Sequence, residues 1–352
     1  MDIEKKVAAY LDQHVAPGAR LLEMDPLGEG IHGTAYRIRF MTPGGEKRLI
    51  MKTLFPSRFG HDHFADRAQV LLLANANYND MPKHIHAVDV VGDAPGGLIP
   101  LGKAKEFYIF MEEAAGVSYF RTLDDILKRG ELDASDRERT KMLAHFLSDI
   151  HSVKYTEPDA PILYKRRIRD LIGHGECIMG IIDAYDPVDF ATDDELVSYA
   201  TSCMPWWGKI RNRHERLCRV HGDYHPGNIR VNGDDFTLLD RSRGSWGEAA
   251  DDVACLSINY LHYAVKQTSR FEGPFEELFR LFFDVYLHST ADWDIFSIVQ
   301  PFFAFRILVV ANPRFYPDDT LETKETLFRF GRAVLGIPRF EIDQIPNYLE
   351  GP

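Results

Sequence analysis

Three side chains near the middle of the chain have types and spacing that suit chemistry. Asp223 is followed five residues later by Asn228, and Asn228 twelve residues later by Asp240. Transfer of a phosphoryl group from ATP calls for such a set. One carboxylate sits near the attacking hydroxyl, while an amide and a second carboxylate hold Mg²⁺ against the phosphates. The segments around them carry strand signals. Leu217-Cys218-Arg219-Val220 runs as a short strand into His221 to Asn228. Ile229-Arg230-Val231, the turn Asn232-Gly233-Asp234-Asp235, and Phe236 to Leu239 then read as a tight hairpin. That hairpin predicts Asn228 and Asp240 on adjacent strand ends.

Upstream, Gly28-Glu29-Gly30-Ile31-His32-Gly33 matches G-x-G-x-x-G. A dinucleotide-binding fold needs a helix directly after those glycines. Here a strand follows, because Tyr36, Ile38 and Phe40 alternate with Arg37 and Arg39. Pro43-Gly44-Gly45 turns the chain, and Arg48 to Leu54 returns as a second strand bearing Lys52. Glycines joining antiparallel strands, with a lysine on the next strand, cover ATP phosphates in protein-kinase-like folds. Taken alone, these residues equally describe a glycine-rich hairpin over a surface lysine. The segment from Asp223 to Asn228 favours the phosphate reading, since its interval equals that of the kinase loop H-R-D-x-x-x-x-N.

The elements that must position these groups differ along the chain. At 352 residues the protein is about twice the ~150-residue domain prior, so two domains or lobes are expected. The N-terminal part reads as strands, including Phe107-Tyr108-Ile109-Phe110-Met111, with one helix from Phe64 to Ala74. Beyond Gly116 helical spacing dominates, in Met142 to His151, Phe275 to Leu287 and Leu321 to Leu335. The expected class is α+β, with a β-rich nucleotide-binding lobe over 1–112 and a helical catalytic and acceptor-binding lobe over 113–352.

Composition narrows the partners. The 53 acidic residues outnumber 41 Lys and Arg, and a net charge of −12 sets up no field that attracts nucleic acid or an anionic membrane. Phosphate must then be handled by locally placed cations and metal ions. Cys177, Cys203, Cys218 and Cys255 show no metal spacing and read as free thiols of a reducing compartment. Met1 to Tyr10 lacks the apolar core of a secretory signal. The apolar run Ser297 to Ala311 contains Gln300, Pro301 and Arg306, and falls short of the ~20 residues of a membrane span. A buried helix and a cytoplasmic location are expected.

His221-Gly222-Asp223-Tyr224-His225-Pro226-Gly227-Asn228 resembles the H-G-D-x-H-x-x-N signature of the aminoglycoside phosphotransferase and choline kinase family. Leu238-Leu239-Asp240 is similar to its metal-binding L-I-D, and Gly247 to Ala254 to its G-D-P-x-x-D-L-A segment. Tyr108 to Gly116 resembles the inter-lobe hinge, and Leu147 to His151 the helix ending in L-H. The resemblance spans roughly residues 25 to 260. It implies a bilobal protein-kinase-like fold, ATP and Mg²⁺ as cofactors, and a small-molecule hydroxyl acceptor as partner. By resemblance Asp223 orients the acceptor hydroxyl and takes its proton late, and Asn228 and Asp240 bind Mg²⁺. Gly28, Gly30 and Gly33 form the flap, Lys52 neutralises the phosphates, and backbone groups near Glu112 and Ala114 hold the adenine edge. Asp252 braces the catalytic loop, and His221 and His225 are structural.

Some features depart from that pattern. No glutamate lies between Thr53 and Asn79 to pair with Lys52, which leaves Asp62 and Asp66, of which Asp66 fits the helix position better. Asp240 is followed by Arg241-Ser242-Arg243, two cations that either meet an anionic acceptor or pair with acids such as Asp251 or Glu248. The basic run Tyr164 to Arg169 reads as a solvated helix face, and Trp206-Trp207 as core residues preceding a helix from Gly208 to Arg216. His61-x-His63 and His84-x-His86 lack a third ligand nearby, so they read as ordinary histidines. Neither D-F-G nor A-P-E is present. The leading expectation is an ATP-dependent kinase acting on a small-molecule hydroxyl. A bacterial protein Ser/Thr kinase of the same fold and a nucleotide-binding scaffold without turnover are the alternatives. Oligomeric state stays open, because a helix face packed on its own core and one packed on a partner share one pattern.

Overall fold

The computed structural model describes residues 2–29, 33–56, 60–77, 79, 85–104, 106–107, 109 and 111–351. The chain divides into two compact units, Met1–Met111 and Glu112–Pro352.

In the first unit, helix α1 (Ile3–Tyr10) runs on through one wider π-helical turn to Val15. Strands β1 (Arg20–Glu29), β2 (Gly33–Thr42) and β3 (Gly45–Leu54) form an antiparallel sheet in that order. The alternation in β2 has its physical cause here. Ile38 and Phe40 are buried against Val7, Leu11 and Ala19, while Arg39 turns outward to Glu23 and Glu46. Helix α2 (Phe64–Asn77) follows, and none of its described residues is fully buried. Strands β4 (Val91–Ala94) and β5 (Gly97–Pro100) make a separate hairpin. Tyr10 Oη ties α1 to Asp89 at 2.7 Å, just ahead of that hairpin.

The described residues of the strand expected over Phe107 to Met111 form no strand. Phe107, Ile109 and Met111 carry no ladder bonds and are exposed, while Tyr108 and Phe110 lie outside the described residues. A short run that is apolar at every position carries no period, so it does not distinguish a buried strand from an extended connection.

The second unit is mainly helical. Strand β6 (Val117–Ser118) leads into α3 (Tyr119–Arg129), α4 (Ala134–Ser152), α5 (Ala160–Gly173), α6 (Ile178–Asp183) and α7 (Asp193–Ile210). Strands β7 (Cys218–Arg219), β8 (Ile229–Asn232), β9 (Asp235–Leu238) and β10 (Trp246–Gly247) come next, then α8 (Ala249–Thr268), α9 (Pro274–Thr290), α10 (Gln300–Val310), α11 (Leu321–Leu335) and α12 (Ile345–Glu350). β6, β8 and β9 form one antiparallel sheet, and β7 pairs with β10. Capping boxes at Asp133/Asp136 and Thr192/Glu195 start α4 and α7 by satisfying N–H groups that the helix leaves unpaired.

The core of this unit is built around α8, where every residue from Ala249 to Val265 is buried. It packs on α9 and α10, and α10 packs on α11. Leu256, Ile258, Leu261 and Val265 each contribute roughly 1.5–3 kcal/mol by leaving water, so packing and not helix propensity holds α8. α7 begins well before the expected Gly208, and it includes Trp206 and Trp207 despite Pro205. Tyr199, Cys203, Trp206 and Ile210 form one buried helical stripe that outweighs the proline, and Trp206 Nε1 donates to Leu335 O at 3.0 Å. Among the described residues, no helix is long and apolar enough to cross a membrane.

Candidate active site

The loop from His221 to Asn228 leaves β7 with its backbone already committed. Asp252, in the first turn of α8, accepts from His221 N through Oδ2 and from Gly222 N through Oδ1, both at 2.7 Å. His151 Nε2 meets the same Oδ2 at 3.2 Å, and Tyr286 Oη meets His151 Nδ1 at 2.9 Å. Asp252 is fully buried. Burial alone would raise its carboxyl, but the bonds and charges from His151 and His221 outweigh that and hold it below the usual carboxylate range. Gly222 takes a left-handed φ of 90°, and a side chain there would crowd Arg243 Cβ at 3.2 Å.

His221 fixes two segments at once. Its Nδ1 accepts from Asp223 N at 3.2 Å, and its Nε2 donates to Leu239 O at 2.8 Å. The loop is thereby tied to the residue before Asp240. The β8–β9 hairpin does the same from the other side, with Ile229 opposite Leu238 and Leu239 N donating to Asn228 O at 2.9 Å. Asn228 and Asp240 thus stand at neighbouring strand ends.

Asp223 itself is almost fully determined. Oδ1 accepts from Arg306 Nη1 at 2.5 Å and lies 3.6 Å from Arg243 Nη1. Oδ2 lies 3.5 Å from Asn228 Nδ2 and 3.8 Å from His225 Nε2. Burial pushes the carboxyl up, yet the positive charges of Arg306 and Arg243 prevail and bring it down to about 2. It is therefore an anion at any working pH. Asn228 donates to Asp223 O at 3.0 Å, which turns its Oδ1 to the opposite side. His225 Nδ1 accepts from Gly227 N at 3.0 Å and starts the short 3₁₀ turn at Pro226.

Asp240 is exposed and adopts φ 52°, unusual for a residue with a side chain. Its Oδ1 accepts from Ser242 N at 3.2 Å, closing an Asx turn. Oδ2 of Asp240 and Oδ1 of Asn228 accept no hydrogen bond from a described residue, and hard oxygen donors suit Mg²⁺. Such a pair could hold a divalent ion of that kind. Among the described residues, no three His, Cys, Asp or Glu side chains converge as a metal cluster.

A cavity of about 710 Å³ opens beside Asp223 within the second unit. Phe120, Asp124, Glu176, Arg243, Asn259 and Tyr316 are among the residues that line it, with α8 forming one wall. Its size is that of small-ligand pockets.

Several charges take other places than expected. Arg241 does not pair with an acid; its guanidinium caps Val220 O at 2.8–2.9 Å and Ser245 O at 3.1 Å. Arg243 faces Asp223 and lies 3.9 Å from Glu176. Asp251 and Glu248 are taken by Arg306, Arg167 and Arg216 instead. The run Tyr164 to Arg169 is a solvated face only in part, with Lys165 and Arg169 exposed. Tyr164 is buried with Oη on Glu248 at 2.6 Å, and Arg167 turns inward to Asp251 and to Arg243 O. The signal was present, since Tyr164, Arg167, Ile168 and Leu171 share one face of α5. Arg306 also signals itself, because a charge inside an apolar helix must find a partner.

In the first unit, Gly28, Ala35 and Lys52 are in register across β1, β2 and β3, with Lys52 exposed. Gly33 opens β2 where any side chain would collide with Thr53 O of β3, so it serves sheet closure. Gly30 lies outside the described residues. Asp66 Oδ2 accepts from His63 N at 2.8 Å at the start of α2. His63 Nδ1 meets Ala65 N there, and His86 meets Asn79; His84 is outside the described residues. In the second unit, Glu112 is exposed and Ala114 half-buried, both outside regular structure.

Comparison with known proteins bears on this site. No curated protein sequence matches the chain. Among solved structures, an amicoumacin kinase is 13% identical over 97% of this chain and 99% of its own, with a TM-score of 0.40. A glucosamine kinase is 15% identical over 99% and 97%, with a TM-score of 0.35. An ethanolamine kinase of Plasmodium vivax is 16% identical over 94% and 80%, with a TM-score of 0.34. The family model described as APH, phosphotransferase enzyme family, matches residues 81–288, more than half of the sequence and the whole segment from His221 to Asp252. On that match, the chain belongs to the APH phosphotransferase enzyme family.

Proposed function

We propose that the protein transfers the γ-phosphate of Mg-ATP to a hydroxyl of a small-molecule acceptor. The observation that carries this reading is Asp223: an anion with one oxygen spent on Arg306, among the residues that line a cavity of about 710 Å³. A cavity of that size is in the range of small-ligand pockets, which favours a small acceptor.

In this reaction the acceptor oxygen attacks the γ-phosphorus, the bond to the bridging oxygen breaks, and ADP leaves with that electron pair. Asp223 Oδ2 orients the hydroxyl. With a carboxyl at about 2, Asp223 is a weak base, so the proton moves to it only after the new P–O bond has largely formed. Asn228 and Asp240 hold the magnesium, which neutralises phosphate charge when bound. By the family resemblance, Lys52 would meet the phosphates, Gly28, Gly30 and Gly33 would cover them, and the backbone at Glu112 and Ala114 would receive the adenine.

The test is ADP release from Mg-ATP by the purified protein over a panel of aminoglycosides, amino alcohols, sugars, nucleosides, homoserine and protein substrates. Turnover with one small hydroxyl compound is expected. Binding of Mg-ATP with no turnover on any of them would favour a scaffold, and turnover confined to protein substrates a protein kinase.

A further inference from the structure

Arg306 sits between Phe305 and Ile307 in an otherwise apolar helix, with its side chain 6% exposed. A guanidinium so placed is costly unless fixed partners take its hydrogens. Nη1 donates to Asp223 Oδ1 at 2.5 Å, and Nη2 to Asp251 Oδ1 at 2.7 Å and Gly222 O at 3.2 Å. The Phe305 ring lies 4.5 Å from the guanidinium carbon. Asp251 Oδ2 accepts from Arg167 Nη2 at 3.0 Å, and Arg167 Nη1 donates to Arg243 O at 2.7 Å. One path of alternating charges therefore joins α10, the catalytic loop, α8, α5 and the loop that follows Asp240.

The geometry points to Arg306 as the positioning residue of the transfer: it sets the rotation of the Asp223 carboxylate so that Oδ2 is presented to the acceptor. This rests on the reading of Asp223 given above. The two oxygens are distinguished by their partners. Oδ1 has a short, charge-assisted bond from a buried donor. Oδ2 has only contacts of 3.5 and 3.8 Å, which are not good hydrogen bonds, and so is the oxygen left for a hydroxyl. Arg243 Nη1 approaches the same Oδ1 only to 3.6 Å, too far for a hydrogen bond, so the short bond to the carboxylate is Arg306's. A purely structural role, holding α10 against α8, is the competing account.

Arg306→Met, Arg306→Lys, Asp223→Asn and the double variant Arg306→Met/Asp223→Asn separate the two. The measurements are thermal melting, Mg-ATP affinity by calorimetry, turnover with the best acceptor of the panel, and crystal structures of wild type and Arg306→Met. Misplacing a reacting group by about 1 Å costs on the order of 100-fold, so kcat of Arg306→Met is expected to fall by that much with KM for ATP unchanged. Arg306→Lys should recover part of the loss, and the double variant should be no slower than Asp223→Asn. In crystals of Arg306→Met the Asp223 carboxylate should leave its wild-type rotamer. A folded Arg306→Met with kcat within threefold of wild type, additive losses in the double variant, or an unmoved carboxylate would each overturn the inference. Full activity of Asp223→Asn would instead overturn the reading of Asp223, while the crystal comparison would still decide what Arg306 does. Should Arg306→Met fail to fold, Arg306→Lys keeps the charge but not the fork, and carries the same comparisons.

Discussion

Asp223 and Asp240 stand seventeen residues apart in the chain, and the fold treats them oppositely. Asp223 is held by its own backbone N–H on His221, by Asn228 on its carbonyl and by Arg306 on its carboxylate. Asp240 is exposed, in a left-handed backbone conformation, with one oxygen closing a local turn and the other without a donor. The difference fits two tasks. A group that must orient a hydroxyl gains from being fixed in advance, since no reorganisation is then needed at the moment of reaction. A carboxylate proposed to hold a metal must keep a lone pair free, and the Asx turn at Asp240 supports its left-handed backbone.

The largest break in this comparison comes from Asp223→Ala, expected to lower turnover by about 10²–10⁴-fold while Mg-ATP affinity, read by calorimetry, stays near wild type. Asp240→Asn should do the reverse. Its loss falls first on nucleotide binding, by at least ~10-fold in a magnesium titration, because even changing a group that only hydrogen-bonds a metal ligand costs about 10–100-fold. Equal effects of the two substitutions on binding would erase the distinction. Asp252→Asn sharpens it, since an amide can serve only one of the two N–H groups that hold the loop. A stability loss of about 1–3 kcal/mol in denaturant melts is expected.

The smallest effect concerns a carboxylate remote from this comparison. Asp319 is brought down to about 2 because bonds and charges from His262 and Lys266 overcome the cost of its burial. Its folded value lies below the unfolded one of about 3.9, so the stability it contributes is complete above that pH and is lost as pH falls toward 2. Asp319→Asn should flatten the decline of melting temperature between about pH 4 and 2. An unchanged slope would show that other carboxylates carry the acid sensitivity.

The class of fold was legible from pattern. Period-2 alternation at Ile38 and Phe40 and helical spacing in α4, α9 and α11 correspond to one-sided burial, and the family match carries the α+β, protein-kinase-like class. The loop from His221 to Asn228 and the hairpin to Asp240 were legible because their chemistry is local, fixed by spacing within twenty residues. For Arg306 and Arg167 the inward placement was legible, but not the partners. Each acts across more than fifty residues of sequence, and no local period records which acid a buried arginine will meet. The run at Phe107 misled for a related reason: continuous hydrophobicity measures aversion to water but specifies no partner strand.

Helix α8 has a practical consequence for anyone who would redirect the enzyme to a different acceptor. The same helix supplies Asp251 and Asp252 to the loop, fills the core of its unit, and forms a wall of the cavity through Cys255, Ile258 and Asn259. A change of size at those positions alters folding and catalysis together. Gly175, Glu176 and Phe315 line the same cavity from outside that core, so libraries built there vary the pocket's shape with less cost to the fold.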